Sequence, residues 1–253
     1  EQELALTIAA LVYYLDYLTN EGLNSIDIFK SLFLSVSVGT SYLSEIGKLR
    51  ALRILYQRIQ QAYEVPLADQ KVFIHARTSS LYFAKTLPHT NILRSTSMAM
   101  SAITGGCNGL TIAPFDNYSH QSHTFSERIA LNISNILDNE SYVSKVADPA
   151  AGSYLLEDIT SKLVDASWDL FLDIEKRGGI MVCFESEYLH DLLDSSWQAK
   201  KQSLKENYKM VGVNKYFNEE LPESSNYVSL DLTSLYQKAL TPRNLADDWF
   251  LND

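Results

Sequence analysis

Three times along this chain a short β-favouring run is followed by a segment of helical periodicity, and that recurring order constrains the fold more than any other feature. Residues 32–38, Leu-Phe-Leu-Ser-Val-Ser-Val, are β-rich and partly alternating; Gly39 interrupts them, and residues 42–63 resume a helical pattern. Residues 71–75 form a second short strand pattern, followed by a helical stretch over 91–103. Residues 110–113 form a third, followed by a helix around 126–137. Successive strands running in one direction each need a crossover, and a helix supplies it, so the order predicts a parallel sheet. No Gly-x-Gly-x-x-Gly follows any of these strands, which favours a β/α barrel over an open dinucleotide-binding sheet.

The flanks are helical. Leu4, Ile8, Leu11, Val12, Leu15 and Leu18 recur at helical spacing, and Gly22 stands where that helix should end. The sequence begins at Glu1 already inside this pattern, with no capping residue, which reads as a fragment of something longer. On the other side, Asp148-Pro149-Ala150-Ala151-Gly152-Ser153-Tyr154 runs into an amphipathic helix that stops at Gly178-Gly179. Asp-Pro opens a turn, Gly152 permits close backbone approach, and Ser153 or Glu157 can satisfy the free donors at the helix start. Residues 196–253 hold two more turn-separated segments, with Pro222 and Ser224-Ser225 marking a loop and Thr241-Pro242 capping a terminal helix.

Composition excludes several classes. With 46% hydrophobic residues in 253, there is enough apolar side chain for a real core. A formal net charge of -10 weighs against a general nucleic-acid surface, which needs clustered cations to displace counterions from phosphates. Cys107 and Cys183 lie far apart without C-x-x-C spacing, so neither a zinc site nor a disulfide framework is indicated, and reduced thiols fit better. No apolar run approaches bilayer length, and Glu1, Glu3 and Asp16 stand where a secretory segment would want basic residues, so a soluble cytoplasmic protein is expected.

The pattern Asp148-Pro149-x-x-Gly152-Ser153-Tyr154, then Glu157, Trp168 and the ending Glu175-x-x-Gly178-Gly179, resembles the barrel-linker junction of the adenosylcobalamin-dependent acyl-CoA mutases, the methylmalonyl-CoA mutase family. The segments 45–53 (Glu-Ile-Gly-Lys-Leu-Arg-Ala-Leu-Arg), 75–79 (His-Ala-Arg-Thr-Ser) and 211–216 (Val-Gly-Val-Asn-Lys-Tyr) fall in the family's order, so the resemblance covers roughly residues 1–216. It implies an α/β fold: the C-terminal part of a (β/α)8 TIM-type barrel over 1–147, holding its strands six to eight, then a mainly helical post-barrel extension over 148–253. A sheet of that kind leaves two edges and one apolar face to be covered, either by self-association or by the post-barrel helices, with Phe33, Val36 and Ile112 in the covered surface.

The resemblance also assigns candidate residues. In catalytic members the motif at His75 resembles His-x-Gln-Thr-Ser-Gly and faces the corrin; here His75, Thr78 and Ser79 match while Arg77 replaces Gln and Ser80 replaces Gly. His75, Arg77, Thr78 and Ser79 are thus a vestigial cofactor surface on this reading, with a histidine hydrogen-bonded under a loop as the plainer one. Basic residues near Lys48, Arg50 and Arg53 help hold coenzyme A phosphates in catalytic members, which makes these three vestigial substrate contacts. The plainer reading is a solvated helix face paired with Glu45. His120 and His123 with Asp116 loosely imitate ligand spacing, but a polar loop accounts for them and no metal site is expected.

Where catalytic members read His-Thr-Asn after the strand core, this chain reads Thr111-Ile112-Ala113-Pro114-Phe115-Asp116, an ending that resembles the family's small, non-catalytic subunit. It lacks the hydrogen-bonding groups a polar cofactor or thioester requires. No Asp-x-His-x-x-Gly motif occurs, so the lower cobalamin ligand is not expected here, and no catalytic residue is assigned. The resemblance implies part of the small subunit of a heterodimer, binding no cofactor itself and supporting a large subunit that interconverts methylmalonyl-CoA and succinyl-CoA by adenosylcobalamin radical chemistry. The alternatives are the C-terminal barrel half of a catalytic acyl-CoA mutase, or a self-contained β/α enzyme using His75 with Arg77.

Overall fold

A computed structural model describes residues 1–66, 71–85, 87–117, 123–216, 240 and 243–246. The helices are α1 (Gln2–Asn20), α2 (Ser25–Ser31), α3 (Tyr42–Ala62), α4 (Thr90–Thr104), α5 (Thr124–Asn139), α6 (Tyr154–Lys176), α7 (Gly179–Glu185) and α8 (Tyr188–Glu206). The strands are β1 (Phe33–Val38), β2 (Phe73–Thr78) and β3 (Gly109–Thr111). They form one parallel sheet in the order β1-β2-β3, with Phe33 opposite Phe73, Val38 opposite Thr78 and His75 opposite Gly109. The anticipated strand-helix order and direction are therefore present, and the architecture is α/β with a parallel sheet and mostly helices.

Alternation decides which side of the sheet is filled. Leu34, Val36, Val38, Ile74, Ala76 and Thr78 are buried on one face, while Phe33, Ser35, Ser37, Phe73 and Arg77 are exposed on the other. Helix α4 packs against all three strands, and α1, α3 and α6 add Leu4, Ile8, Leu15, Leu52, Leu55 and Ile174 to the same core. Ile112 belongs to a smaller cluster with Ala99, Ala130 and Ile133, between α4 and α5. Val36 and Ile112 thus lie in a covered surface, as expected, beneath the chain's own helices, whereas Phe33, expected beside them, is 63% exposed.

Among the described residues, α6 and α7 pack on helices of this chain and not over the open sheet face. Helix α6 lies against α3 and α1, and α7 continues onto α1, so Val164, Phe171, Ile174 and Cys183 share the main core with the strands. The crossing is close at Gly47 of α3, where a Cβ would stand 2.6 Å from Ile159 Cγ2.

Several boundaries differ from expectation for identifiable reasons. Strand β2 begins and ends later than 71–75, because Ala76 and Thr78 continue the buried alternation and the charged Arg77 falls on the open side. Strand β3 stops at Thr111, and the buried Ala113 N–H beyond it donates to Thr78 Oγ1 at 2.8 Å, a side chain in place of a ladder carbonyl. Helix α2 was not anticipated; Asn24 Oδ1 caps it by accepting from Ile26 N at 2.8 Å. At the start of α6 the Ser153 hydroxyl makes no cap bond, and Glu157 Oε1 accepts from Gly152 N at 3.3 Å instead. Gly152 serves by its φ of +79°, with no heavy atom near its missing Cβ, rather than by close approach. The loop and cap expected at Pro222, Ser224-Ser225 and Thr241-Pro242 lie outside the described residues. Among the described residues no helix is long and apolar enough to cross a membrane.

Candidate functional site

The candidate residues are distributed over the open face of the sheet, the end of β2 and helix α3. His75 is not at the strand end; it sits mid-strand on the open face, half-buried. Its Nδ1 shares a hydrogen bond with Ser35 Oγ at 2.8 Å and its Nε2 one with Thr111 Oγ1 at 2.9 Å. The ring thus ties all three strands together, which is more than a histidine under a loop. Arg77 projects from the same face one pleat further on and is exposed.

Thr78 turns inward, and Ser79 is half-buried beside it. Thr78 is 2% exposed and its hydroxyl is occupied by Ala113 N. Ser79 donates its N–H to Val38 O at 2.9 Å, and its Oγ accepts from Leu81 N at 3.3 Å, capping a single 3-10 turn over Ser80–Tyr82. Both polar side chains expected at a cofactor surface are therefore engaged by the protein.

The three basic residues of α3 diverge. Lys48 is nearly buried between Glu3 at 2.8 Å and Glu45 at 2.5 Å, and it donates to Ser37 O at 2.5 Å. Glu3 Oε1 accepts from Ser37 N at 2.6 Å, so the Glu3 and Lys48 pair satisfies both backbone groups of Ser37 on the edge strand. Burial pulls the Lys48 ammonium down, but Glu3 and then Glu45 more than offset it and hold its pKa above the usual lysine value. Arg50 reaches away to α6, donating to Glu157 Oε1 at 2.6 Å, Asp148 Oδ2 at 3.2 Å and Thr160 Oγ1 at 3.2 Å. The hydrogen bond to Glu157 raises the Arg50 pKa, and the same bond, with Gly152 N–H, lowers that of Glu157.

Arg53 donates to Gly106 O, to Asn108 Oδ1 at 2.9 Å and to Val72 O at 3.3 Å, and its burial lowers its pKa. The three cations thus point to three different partners rather than to one phosphate, and they are not a solvated face. The pairing of Lys48 with Glu45 is present as read from the sequence.

His123 sits at the start of α5, and His120 lies outside the described residues. Among the described residues no three His, Cys, Asp or Glu side chains group as metal ligands. Trp168 packs tilted on Phe171 at 5.1 Å, with the Arg58 guanidinium 5.4 Å from its ring. Sequence reasoning missed a cleft of about 1090 Å³ at the strand ends, lined by Glu3, Ser37, Ser79, Tyr82, His190 and Trp197. Its walls come from α1, β1 and α8, which no local pattern joins. Tyr82 there has its pKa pushed up to about 12, first by burial and then by nearby Tyr208 and carboxylates.

The sequence matches the family model described as "Methylmalonyl-CoA mutase" over residues 1–242. It is 34% identical over 205 residues to a methylmalonyl-CoA mutase small subunit of Porphyromonas gingivalis, covering 80% of this chain and 33% of that protein. A small subunit of Streptomyces virginiae is 34% identical over 203 residues, covering 80% and 33%. The methylmalonyl-CoA mutase of Rhizobium meliloti is 34% identical over 217 residues, covering 85% and 30%. The chain spans about a third of the length of these relatives.

Proposed function

Because the chain belongs to the methylmalonyl-CoA mutase family, we propose that it is part of a small subunit of such a mutase, supporting a catalytic large subunit that carries adenosylcobalamin and interconverts methylmalonyl-CoA and succinyl-CoA. The observation that carries this reading is the closed end of β2 and β3: Thr78 is occupied by Ala113 N, and Ile112 and Ala113 are 8% and 3% exposed. A site for a polar cofactor or thioester needs unspent donors and acceptors at that point, and this end offers packed apolar atoms. The internal engagement of Lys48, Arg50 and Arg53 supports the same reading for the phosphate contacts. His75 and Arg77, still on the open face, are the residues that would meet a cofactor held by the partner.

The division proposed is one of topology, with barrel strands in 1–147 and the helical extension in 148–253 joined by a common core. The location proposed is cytoplasmic, which two free cysteines suit.

The test is co-expression with the large subunit of a mutase, followed by native mass spectrometry and an assay for succinyl-CoA. A one-to-one complex is expected, with no turnover by the chain alone in the presence of adenosylcobalamin. Absence of any complex would overturn the subunit reading. The match to the Rhizobium meliloti mutase, equal in identity to those with small subunits, favours a second reading as the C-terminal barrel half of a catalytic mutase. Turnover restored by supplying the remainder of a catalytic chain would establish that reading instead.

A further inference from the structure

The Glu175-x-x-Gly178-Gly179 ending of α6 belongs to the family pattern but has no role in the function proposed above, and its geometry builds a second concave surface. Gly178 and Gly179 take φ of +105° and +87°, which turns the chain directly from α6 into α7. Between this turn and the C-terminal half of α1 lies a groove of about 300 Å³, lined by Val12, Tyr13, Asp16, Tyr17, Glu175 and Ile180 among others. Its rim is apolar and open: Tyr13 is 41% exposed, Tyr17 55% and Met181 44%. Tyr14, edge-on to Tyr13 at 5.7 Å, and Val182 extend that surface.

The groove is chemically one-sided. Among the described residues, two carboxylates, Asp16 and Glu175, line it together with tyrosine rings, and no Lys or Arg does. Tyr63 donates its hydroxyl to Asp16 Oδ1 and so fixes that carboxylate from the α3 side. Burial first, and then the charge of Asp16, raises the Glu175 pKa, the expected state of two like charges sharing a half-dry site without a counter-ion.

We propose that this groove docks an arginine side chain presented by an apolar segment of a partner protein. A guanidinium suits the walls better than an ammonium, because it lies flat on aromatic rings while forking to carboxylates. The flanking Tyr14, Met181 and Val182 call for apolar neighbours around that arginine, which distinguishes a protein partner from a free cation. A second copy of this chain is disfavoured by the formal net charge of -10 brought to an acidic groove. This inference does not depend on the mutase reading, since no residue of the groove is among the cofactor or substrate contacts considered there.

The test is a ¹⁵N-resolved NMR titration of the chain with acetyl-Leu-Arg-Leu-amide and with its citrulline counterpart, which keeps the shape and removes the charge. Amide shifts confined to residues 12–20 and 175–182 are expected, with the citrulline peptide about tenfold weaker, the size of one cation–π contact plus one partly screened ion pair. Glu175→Gln should narrow the difference between the peptides to about threefold, since the tyrosine rings and Asp16 remain, with an unchanged melting curve. Tyr17→Ser, at an exposed position, provides a second variant with the same expectation should the first disturb folding. Equal response to both peptides, shifts elsewhere, or indifference to both substitutions would overturn the proposal. So would a dimer in sedimentation velocity that the same substitutions dissolve, because the occupant would then be a second copy.

Discussion

The two faces of the sheet are made from the same three strands, yet one is sealed and the other open. On the packed face every second residue, from Leu34 through Thr78, is buried under helices of this chain. The open face carries Phe33, Ser35, Ser37, Phe73, His75 and Arg77, and among the described residues it is ordered by hydrogen bonds across the strands. The contrast teaches that closure here is one-sided: apolar burial holds the sheet to its helices, while polar contacts keep the uncovered side in register.

The largest expected effect tests the sealed side against the open one. Ile74→Ala, at a position with no exposure, should cost about 2–5 kcal/mol in denaturant unfolding, whereas Phe33→Ala should stay within about 0.5 kcal/mol. A comparable cost at Phe33 would break the comparison, by revealing that the open face is covered in solution.

Next in size is Thr78→Val, which keeps the shape but leaves the buried Ala113 N–H without its acceptor, at about 1–3 kcal/mol. Thr78→Ser should restore most of that stability; equal loss in both would point to the methyl group instead. On the open side, His75→Ala removes the bonds to Ser35 and Thr111 and should cost about 1 kcal/mol, with hydrogen exchange accelerated in β1 and β3. Unchanged exchange would show that the imidazole does not hold the register.

The smallest effect concerns acid. Glu157 has its folded pKa depressed by Arg50 and by Gly152 N–H, so its contribution is present above the unfolded carboxylate value and is lost as pH falls through the folded one. Glu157→Gln should flatten a small part of the stability decline below the ordinary glutamate range. Parallel acid melts of both proteins would check this, and identical slopes would count against the pairing.

What was legible in the sequence was what depends on near neighbours. The partly alternating, β-rich run over 32–38 announced β1, though not that Phe33 and Val36 fall on opposite faces, and the pairing of Lys48 with Glu45 follows from their i, i+3 spacing. Asn24 ahead of Ser25-Ile26-Asp27 is the capping signal in the sequence that marks helix α2. The extension of β2 was hidden because His-Ala-Arg-Thr reads as a polar motif until one knows that one face is open. The partners of the basic residues were not legible at all: Glu3 reaches Lys48 and Asp148 reaches Arg50 only after distant segments pack. Local pattern indicates that a cation sits on a helix, and tertiary structure decides which carboxylate it meets.

The seating of α1 against α6 carries a consequence for biosynthesis. Ser167 Oγ donates to Glu1 O across 166 residues of sequence, and Leu4, Ile8 and Leu15 share the core with Phe171 and Ile174. At ordinary translation speed the apolar stripe of α1 waits roughly 10–30 s for the helix that covers it. During that interval the apolar stripe of α1 lacks the cover that α6 gives it in the folded chain. Ribosome-stalled chains ending before α6 should therefore remain protease-sensitive across α1, and chains extended past α7 should become resistant.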